Sequence, residues 1–337
     1  MLNKISLELN NIISNFNVED KIIFKNKTIN INKDNFETLH QETTNSIKTI
    51  TYIDGGQAEI FSTGNFCLSL IRVAGVKFQG KKKLNFVKHE FYLLTYTKFE
   101  DNDLIYVSKI FPNTNSDLKN SDVFNLINEQ ELTLSSQDST IRDGLERASI
   151  SKITNMARRF TELRLAKQLA EQNFSDYILL DGTLDVSFKG EDKILLTLPR
   201  TVCSLAKSSS LFTVQGNNPN LLLSKLGPQN TEWSYFLECS NSKGIMTNTY
   251  FVKLHSKAKH IFRFEGNKEI LLNLLENSQD ALFLGYPYGL IFSDRIARVS
   301  NNEKNSLKAR FMLNKENKEI MNYLTNTNAH DILDNIS

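Results

Sequence analysis

Tyr177-Ile178-Leu179-Leu180-Asp181-Gly182-Thr183 is an apolar run that ends in an aspartate followed at once by glycine, and Tyr52-Ile53-Asp54-Gly55-Gly56 repeats the pattern earlier in the chain. A β-branched and aromatic run bounded by glycine predicts a buried strand, with the aspartate held at its end and the glycine allowing a sharp turn. If the two strands are neighbours, the two carboxylates form half of a metal site. Taken singly, each Asp-Gly pair reads more simply as a turn dipeptide without chemistry.

Working outward, Ile50 to Ile53, Ala58 to Phe61 and Phe66 to Val76 predict a β-meander opening on Asp54, and Phe91 to Thr97 and Leu104 to Phe111 continue it. Asn113 to Asn120 is polar and predicts an exposed loop. Ser139 or Thr140 is placed to cap a long helix whose apolar positions run through Leu145, Ala148, Ile153, Met156, Phe160, Leu163, Leu165 and Leu169. Further strands are expected at Lys193 to Leu198, Tyr235 to Cys239, Tyr250 to Leu254 and Ile261 to Glu265. Helices are expected at Leu2 to Phe16, Lys268 to Asn277 and Asn305 to Leu324, with Pro287 and Gly289 breaking the chain between the last two. Strands first, a central helix, then strand and helix alternation describe a mixed α/β sheet.

The chain has 337 residues, 40% hydrophobic and 23% charged, which is the composition of a globular protein with a sizeable core. A net charge of +2 excludes a generally basic nucleic-acid-coating protein. Cys67, Cys203 and Cys239 are widely spaced among apolar or small residues, which predicts reduced, buried thiols in a cytoplasmic protein. Met1 to Phe16 lacks the pattern of a secretion signal, and no run approaches the roughly 18 apolar residues needed to span a bilayer, so no membrane association is expected. No GxxxxGK[ST], GxGxxG or GxSxG pattern occurs, which argues against an ATPase motor, a dinucleotide enzyme or a serine hydrolase. His40, His89, His255, His260 and His330 show no metal spacing; His255 and His260, with Lys253, Lys257 and Lys259, suggest a basic strip.

Two further acids join the aspartates. Glu162 lies on the central helix in Arg158-Arg159-Phe160-Thr161-Glu162-Leu163, at the border of an apolar stripe and a basic one, where pairing with Arg158 or Arg159 is the simpler reading. Asp294 ends the apolar passage Gly285-Tyr286-Pro287-Tyr288-Gly289-Leu290-Ile291-Phe292-Ser293, where it would cap the next turn. All-oxygen donors of this kind select Mg²⁺ or Mn²⁺, and two such ions about 4 Å apart can drive phosphodiester hydrolysis.

In their order along the chain, Ile53-Asp54-Gly55-Gly56, the Arg-Arg-Phe-Thr-Glu-Leu-Arg-Leu-Ala stretch about Glu162, Leu180-Asp181-Gly182-Thr183-Leu184 and the Gly-Tyr-Pro-Tyr-Gly-Leu passage ending at Asp294 resemble the motifs of the NurA nucleases, from about residue 48 to 312. The resemblance implies an RNase H-like mixed sheet flanked by helices, with residues 1–47 as an N-terminal helical extension, residues 48–312 as the nuclease domain carrying an inserted β/loop region at 80–140, and residues 313–337 as a C-terminal helix and tail. It implies a Mn²⁺-dependent DNA nuclease, with Mg²⁺ as the alternative ion, that is a single-strand endonuclease and exonuclease, forms a homodimer and resects DNA ends with the hexameric translocase HerA. Asp54, Glu162 and Asp181 would be metal-binding carboxylates, and Tyr286 would match the family's late tyrosine. Asp294 falls where many members carry histidine; an aspartate can bind a metal through oxygen but replaces histidine as a near-neutral acid or base only where its surroundings strongly disfavour the charged form. Lys207 matches a family lysine after a strand and would hold the scissile phosphate or orient the attacking water. Lys81, Lys82, Lys83, Arg158 and Arg159 are candidate backbone contacts to DNA. The rival reading is a NurA-like scaffold that docks on the translocase ring and binds DNA but has lost efficient cleavage, with Asp294 as its symptom.

Overall fold

The computed structural model describes residues 1–14, 21–40, 47–113, 121–242, 245–281 and 283–327. In chain order the elements begin with helix α1 (Leu2–Ser14), strands β1 (Lys21–Phe24), β2 (Lys27–Asn30), β3 (Phe36–Thr38), β4 (Thr49–Ser62), β5 (Phe66–Gln79), β6 (Lys82–Glu100) and β7 (Asp103–Pro112), helix α2 (Ser121–Leu126) and strand β8 (Leu134–Ser135). Helix α3 (Lys152–Glu171), β9 (Tyr177–Asp181), α4 (Glu191–Leu195), β10 (Val202–Ala206), β11 (Phe212–Thr213), α5 (Pro219–Leu226), β12 (Trp233–Ser242), β13 (Ile245–Lys253) and β14 (Phe262–Glu265) follow. The chain closes with α6 (Ile270–Asn277), α7 (Tyr288–Ala297), α8 (Asn301–Leu313) and α9 (Lys318–Thr327). The described residues fall into two compact units, one from Met1–Ile47, Asp181–Leu184 and Cys203–Tyr288, the other from Lys48–Leu180, Asp185–Val202 and Gly289–Ser337. Among the described residues no helix is long and apolar enough to cross a membrane.

The second unit is built on a mixed sheet of strand order β9-β4-β5-β6-β7-β8. β4 and β9 run parallel, pairing Ile50 with Tyr177 and Ile53 with Leu180. The remaining neighbours are antiparallel. β5 is buried almost continuously from Cys67 to Val76, as expected of a central strand covered on both faces. α3 supplies part of that cover: Ile153, Met156, Phe160 and Leu163 are buried, Ser69 Oγ lies 3.0 Å from Thr154 Oγ1, and Leu169 packs where a side chain on Gly75 would stand.

The parallel pair is fastened at its start by Asp176, whose carboxylate accepts both the backbone N–H and the hydroxyl of Thr49 at 2.7 Å. Burial works to raise the pKa of Asp176, but the two Thr49 hydrogen bonds prevail and hold it below the usual value. A carboxylate depressed in the folded state stabilises above its unfolded pKa of about 3.9 and loses that contribution as pH falls toward the folded value. Asp176→Asn is therefore expected to lower the urea midpoint at pH 7 and to match the wild type increasingly as the pH drops below 4. A deficit that grows on acidification would contradict this.

In the first unit, β11-β1-β2 form a small antiparallel sheet, and β3-β12-β13-β14-β10 lie in that order. Ile22, Phe24, Leu223, Trp233, Tyr235, Leu237, Phe251 and Ile261 form its core cluster. β14 pairs antiparallel with β10, setting Ser204 opposite Glu265 and Ala206 opposite Arg263.

The sequence expectations hold for most strands and fail at identifiable places. Asp54 does not end a strand: β4 runs on to Ser62, and Asp54, Gly55 and Gly56 pair with Ala74, Val73 and Arg72 of β5. The central helix starts at Lys152 rather than near Thr140, because the Asp138 carboxylate takes the Thr140 N–H and hydroxyl into a local turn and Gly144 adopts φ 65°. Lys193 to Leu198 is not a strand; α4 occupies Glu191–Leu195, and Glu191 accepts the N–H groups of Ser187 and Phe188. The last helix is split at Asn314, whose side chain accepts the Glu316 N–H. Gly289 lies inside α7, where it lets the helix approach the Tyr52 ring.

Residues 1–47 carry β1 to β3 besides the predicted helix, and the strands of the expected β/loop region at 80–140 include β6 and β7, which extend the sheet. Cys67 and Cys203 are buried, but Cys239, in β12, is exposed. Residues 15 and 16, the polar passage 114–120 and the tail from 328, with His330, lie outside the described residues.

Candidate active site

β4 and β9 keep parallel register up to Ile53 and Leu180, and the next residue in each strand is an aspartate, Asp54 and Asp181. This arises from sequence: Tyr52-Ile53 and Leu179-Leu180 are buried strand residues, so the acid after each is fixed by the strand before it. Asp54 is only 9% exposed, and its Oδ1 accepts the Gly55 N–H at 2.7 Å.

Glu162 comes to the same part of β4 from α3. It is 3% exposed, more buried than its place at the border of two stripes suggested. Its Oε1 lies so close to Gly55 that a Cβ there would overlap it, and the Arg158 side chain closes the rest of the space. Glycine is thus required for close approach, not for a turn. Arg158 pairs with Glu162 one helical turn away and reaches the Gly55 carbonyl at 3.4 Å and Gln57 Oε1 at 3.2 Å. Gln57 in turn donates to Asn155 at 2.7 Å. The buried carboxylate and the arginine are therefore held by one network across β4 and α3, and Asp54 adjoins it through the Gly55 backbone. Gly55→Ala is expected to cost about 1–3 kcal/mol through overpacking and to displace Glu162; a urea titration indistinguishable from wild type would contradict the contact.

The other predicted residues occupy distinct settings. Asp181 closes β9 and accepts a hydrogen bond from Lys207 Nζ at 2.5 Å. The Lys207 ammonium also stands 5.4 Å from the Tyr286 ring centroid, and Tyr286 is 3% exposed, packed against Phe262 and Phe283. Asp181, Lys207 and Tyr286 thus form one connected group in the first unit. Asp294 lies within α7, not at its start, and is engaged by Arg298 at 2.5 Å on the following turn. Arg159 points to buried Glu191 at 2.8 Å, an internal pair rather than an open DNA contact. Lys81, Lys82 and Lys83 are exposed at the β5–β6 turn and the start of β6, with Lys83 Nζ 4.7 Å from the Phe292 ring centroid. Among the described residues no three His, Cys, Asp or Glu side chains are gathered as a bound ion would require.

Sequence reading passed over three buried ion pairs. Arg72 and Glu90 pair across β5 and β6, Glu191 accepts from Arg159 and two backbone amides, and Arg263 pairs with Glu265 in β14. The signal existed in Phe262-Arg263-Phe264-Glu265, where charges inside a strand of aromatics imply burial with a partner. Cys203, also in this unit, is pushed up to about 12 by burial and is no nucleophile at neutral pH.

No family model matches the sequence, and no curated protein matches it. Solved structures do. The NurA nuclease from Sulfolobus solfataricus superposes with a TM-score of 0.52 at 13% identity, covering 92% of this chain and 95% of that one. A further NurA crystal structure gives 0.49 at 9% identity over 85% and 92% of the two chains. The catalytic domain of human endonuclease V gives 0.38 at 11% identity over 80% and 85%. At such identities the likeness is one of architecture, and it extends over almost the whole Sulfolobus chain. The chain has a NurA-like fold, of the RNase H-like mixed α/β type.

Proposed function

We propose that this chain is a metal-dependent deoxyribonuclease. The observation that carries the reading is the strand register: parallel β4 and β9 are last paired at Ile53 and Leu180, and each is followed by an aspartate, with buried Glu162 laid against Gly55 beside the first. The NurA-like fold supports it. The donor type suits Mn²⁺ or Mg²⁺, since all three acids offer oxygen, although among the described residues no three acids are gathered about one point and Glu162 with Arg158 fills the space beside Gly55. Asp54, Glu162 and Asp181 would hold the ion, which when bound supplies Lewis acidity at the scissile phosphate.

The chain's own residues account for the rest. Arg158 orients the Glu162 carboxylate, and its charge lowers the cost of keeping that acid ionised inside the protein. Lys207, half exposed and resting on Asp181, is placed to transfer its contact to a DNA phosphate. Tyr286 gives that lysine an aromatic face against which its stem and charge rest. Asp294, paired with Arg298, is the weakest member of the proposed ligand set.

The resemblance further supports a homodimer that acts in the cytoplasm with a HerA-type translocase in DNA end resection. One specific observation favours the non-cleaving scaffold instead: Glu162, Asp181 and Asp294 are each engaged by a cation, Arg158, Lys207 and Arg298. Incubating the purified protein with labelled single-stranded and duplex DNA, with Mn²⁺ or with chelator, decides between them. Cleavage in Mn²⁺ alone is expected; binding to DNA and to a translocase ring without cleavage, even with ATP present, would establish the scaffold.

A further inference from the structure

The turn that carries Asp181 away from β9 is held by a charged pair that lies inside the protein. Glu265 is 2% exposed and Arg263 4%, and the two are joined by an ion pair within β14. The second oxygen of Glu265, Oε2, accepts the backbone N–H of Leu184 at 2.5 Å and lies 3.5 Å from the Ser204 hydroxyl. Leu184 is three residues beyond Asp181. Between them Gly182 adopts φ 110°, a left-handed conformation, and gives its N–H to the Leu205 carbonyl at 3.1 Å. Asp181 itself is bound by Lys207 at 2.5 Å. The segment Asp181–Leu184 is therefore tied to β10 and β14 through the Gly182 amide and the Leu184 amide, with Lys207 on the acid that precedes them.

A buried ion pair is weak evidence for stability, because desolvation offsets its attraction and apolar residues of similar volume serve as well. A carboxylate that also accepts a backbone amide does something an apolar pair cannot. It fixes the path of a turn whose glycine would otherwise be free to take several conformations.

We propose that Glu265, oriented by Arg263, is a positioning residue that sets the direction of the Asp181 carboxylate by clamping the Leu184 amide. The proposal rests on the nuclease reading for its effect on activity, and on hydrogen bonding alone for the clamp. Two paired variants separate charge from clamping: Arg263→Met with Glu265→Gln keeps an acceptor for Leu184, whereas Arg263→Met with Glu265→Met removes it.

The first combination is expected to cleave DNA within a few-fold of wild type. The second is expected to lose about 10²-fold in kcat with KM little changed, as a displacement of the order of 1 Å would produce. Both should melt close to wild type. Equal kcat in the two variants would overturn the proposal. Hydrogen exchange on the wild-type protein gives an arm that needs neither variant folding nor cleavage: the Leu184 and Gly182 amides are expected to be protected, and exchange at the rate of an open loop would overturn it. If the wild type fails to cut DNA while these amides are protected, the nuclease reading falls and the clamp stands.

Discussion

Arg72→Ala is expected to lower the unfolding free energy by about 3–5 kcal/mol, the cost typical of leaving one half of a buried ion pair without its partner. Arg72 and Glu90 are 8% and 7% exposed and pair across β5 and β6. Arg72 also donates to the Arg298 carbonyl at 3.0 Å, just past α7, and to Glu303 at 2.5 Å near the start of α8. One guanidinium thus ties two strands to the corner between two helices. Burial works against its charge, but the Glu303 hydrogen bond and the Glu90 carboxylate together hold its pKa above the usual arginine value. Denaturant titration at neutral pH measures the loss. Arg72→Met with Glu90→Met is expected to recover much of it, because the uncompensated charge disappears with its partner. A deficit below about 1 kcal/mol in Arg72→Ala, the range of an exposed pair, would show that the network is not buried in solution.

Asp54→Asn and Glu162→Gln are each expected to lower Mn²⁺-dependent DNA cleavage by about 10³-fold or more while leaving the protein folded, since loss of Lewis-acid stabilisation is worth several kcal/mol and 1.4 kcal/mol is tenfold. Both substitutions keep volume and remove a charge. For Glu162 the reasoning is sharpened by Gly55, whose missing side chain leaves room for the carboxylate and for nothing larger. Gel assays over a range of Mn²⁺ concentrations, alongside melting curves, test both changes. Cleavage within tenfold of wild type at saturating Mn²⁺ in either variant would remove that residue from the reaction.

The sequence made much of this architecture legible, and the gaps have physical causes. Tyr177 to Asp181 was readable as a buried strand because four consecutive apolar residues, Tyr177 to Leu180, between turn signals admit few alternatives. Gly55-Gly56 misled, because glycine signals a turn and also permits close packing in mid-strand. Only the neighbour reveals which, and that neighbour is Glu162, over a hundred residues away.

The Thr140 cap misled for a related reason, since Asp138 offered the same backbone a local turn. Of the candidate site, Asp54, Glu162 and Asp181 were proposed from motif order, and the paired strand residues Ile53 and Leu180 immediately precede the two aspartates. The pairings of Lys207 with Asp181 and of Arg298 with Asp294 lie within reach of composition, but the Glu265 clamp depends on a fold-level juxtaposition of β14 with the Asp181 turn.

The claim that Asp54 and Asp181 act as one site is tested most directly by cleavage of a single labelled DNA, in Mn²⁺, by the wild type, by Asp54→Ala, by Asp181→Ala and by the double variant. Residues that act as a unit are strongly non-additive. The expected result is rapid cleavage by the wild type, near-complete loss in each single variant, and no further loss in the double. Single variants that cut at the wild-type rate, or losses that multiply as for independent residues, would contradict it.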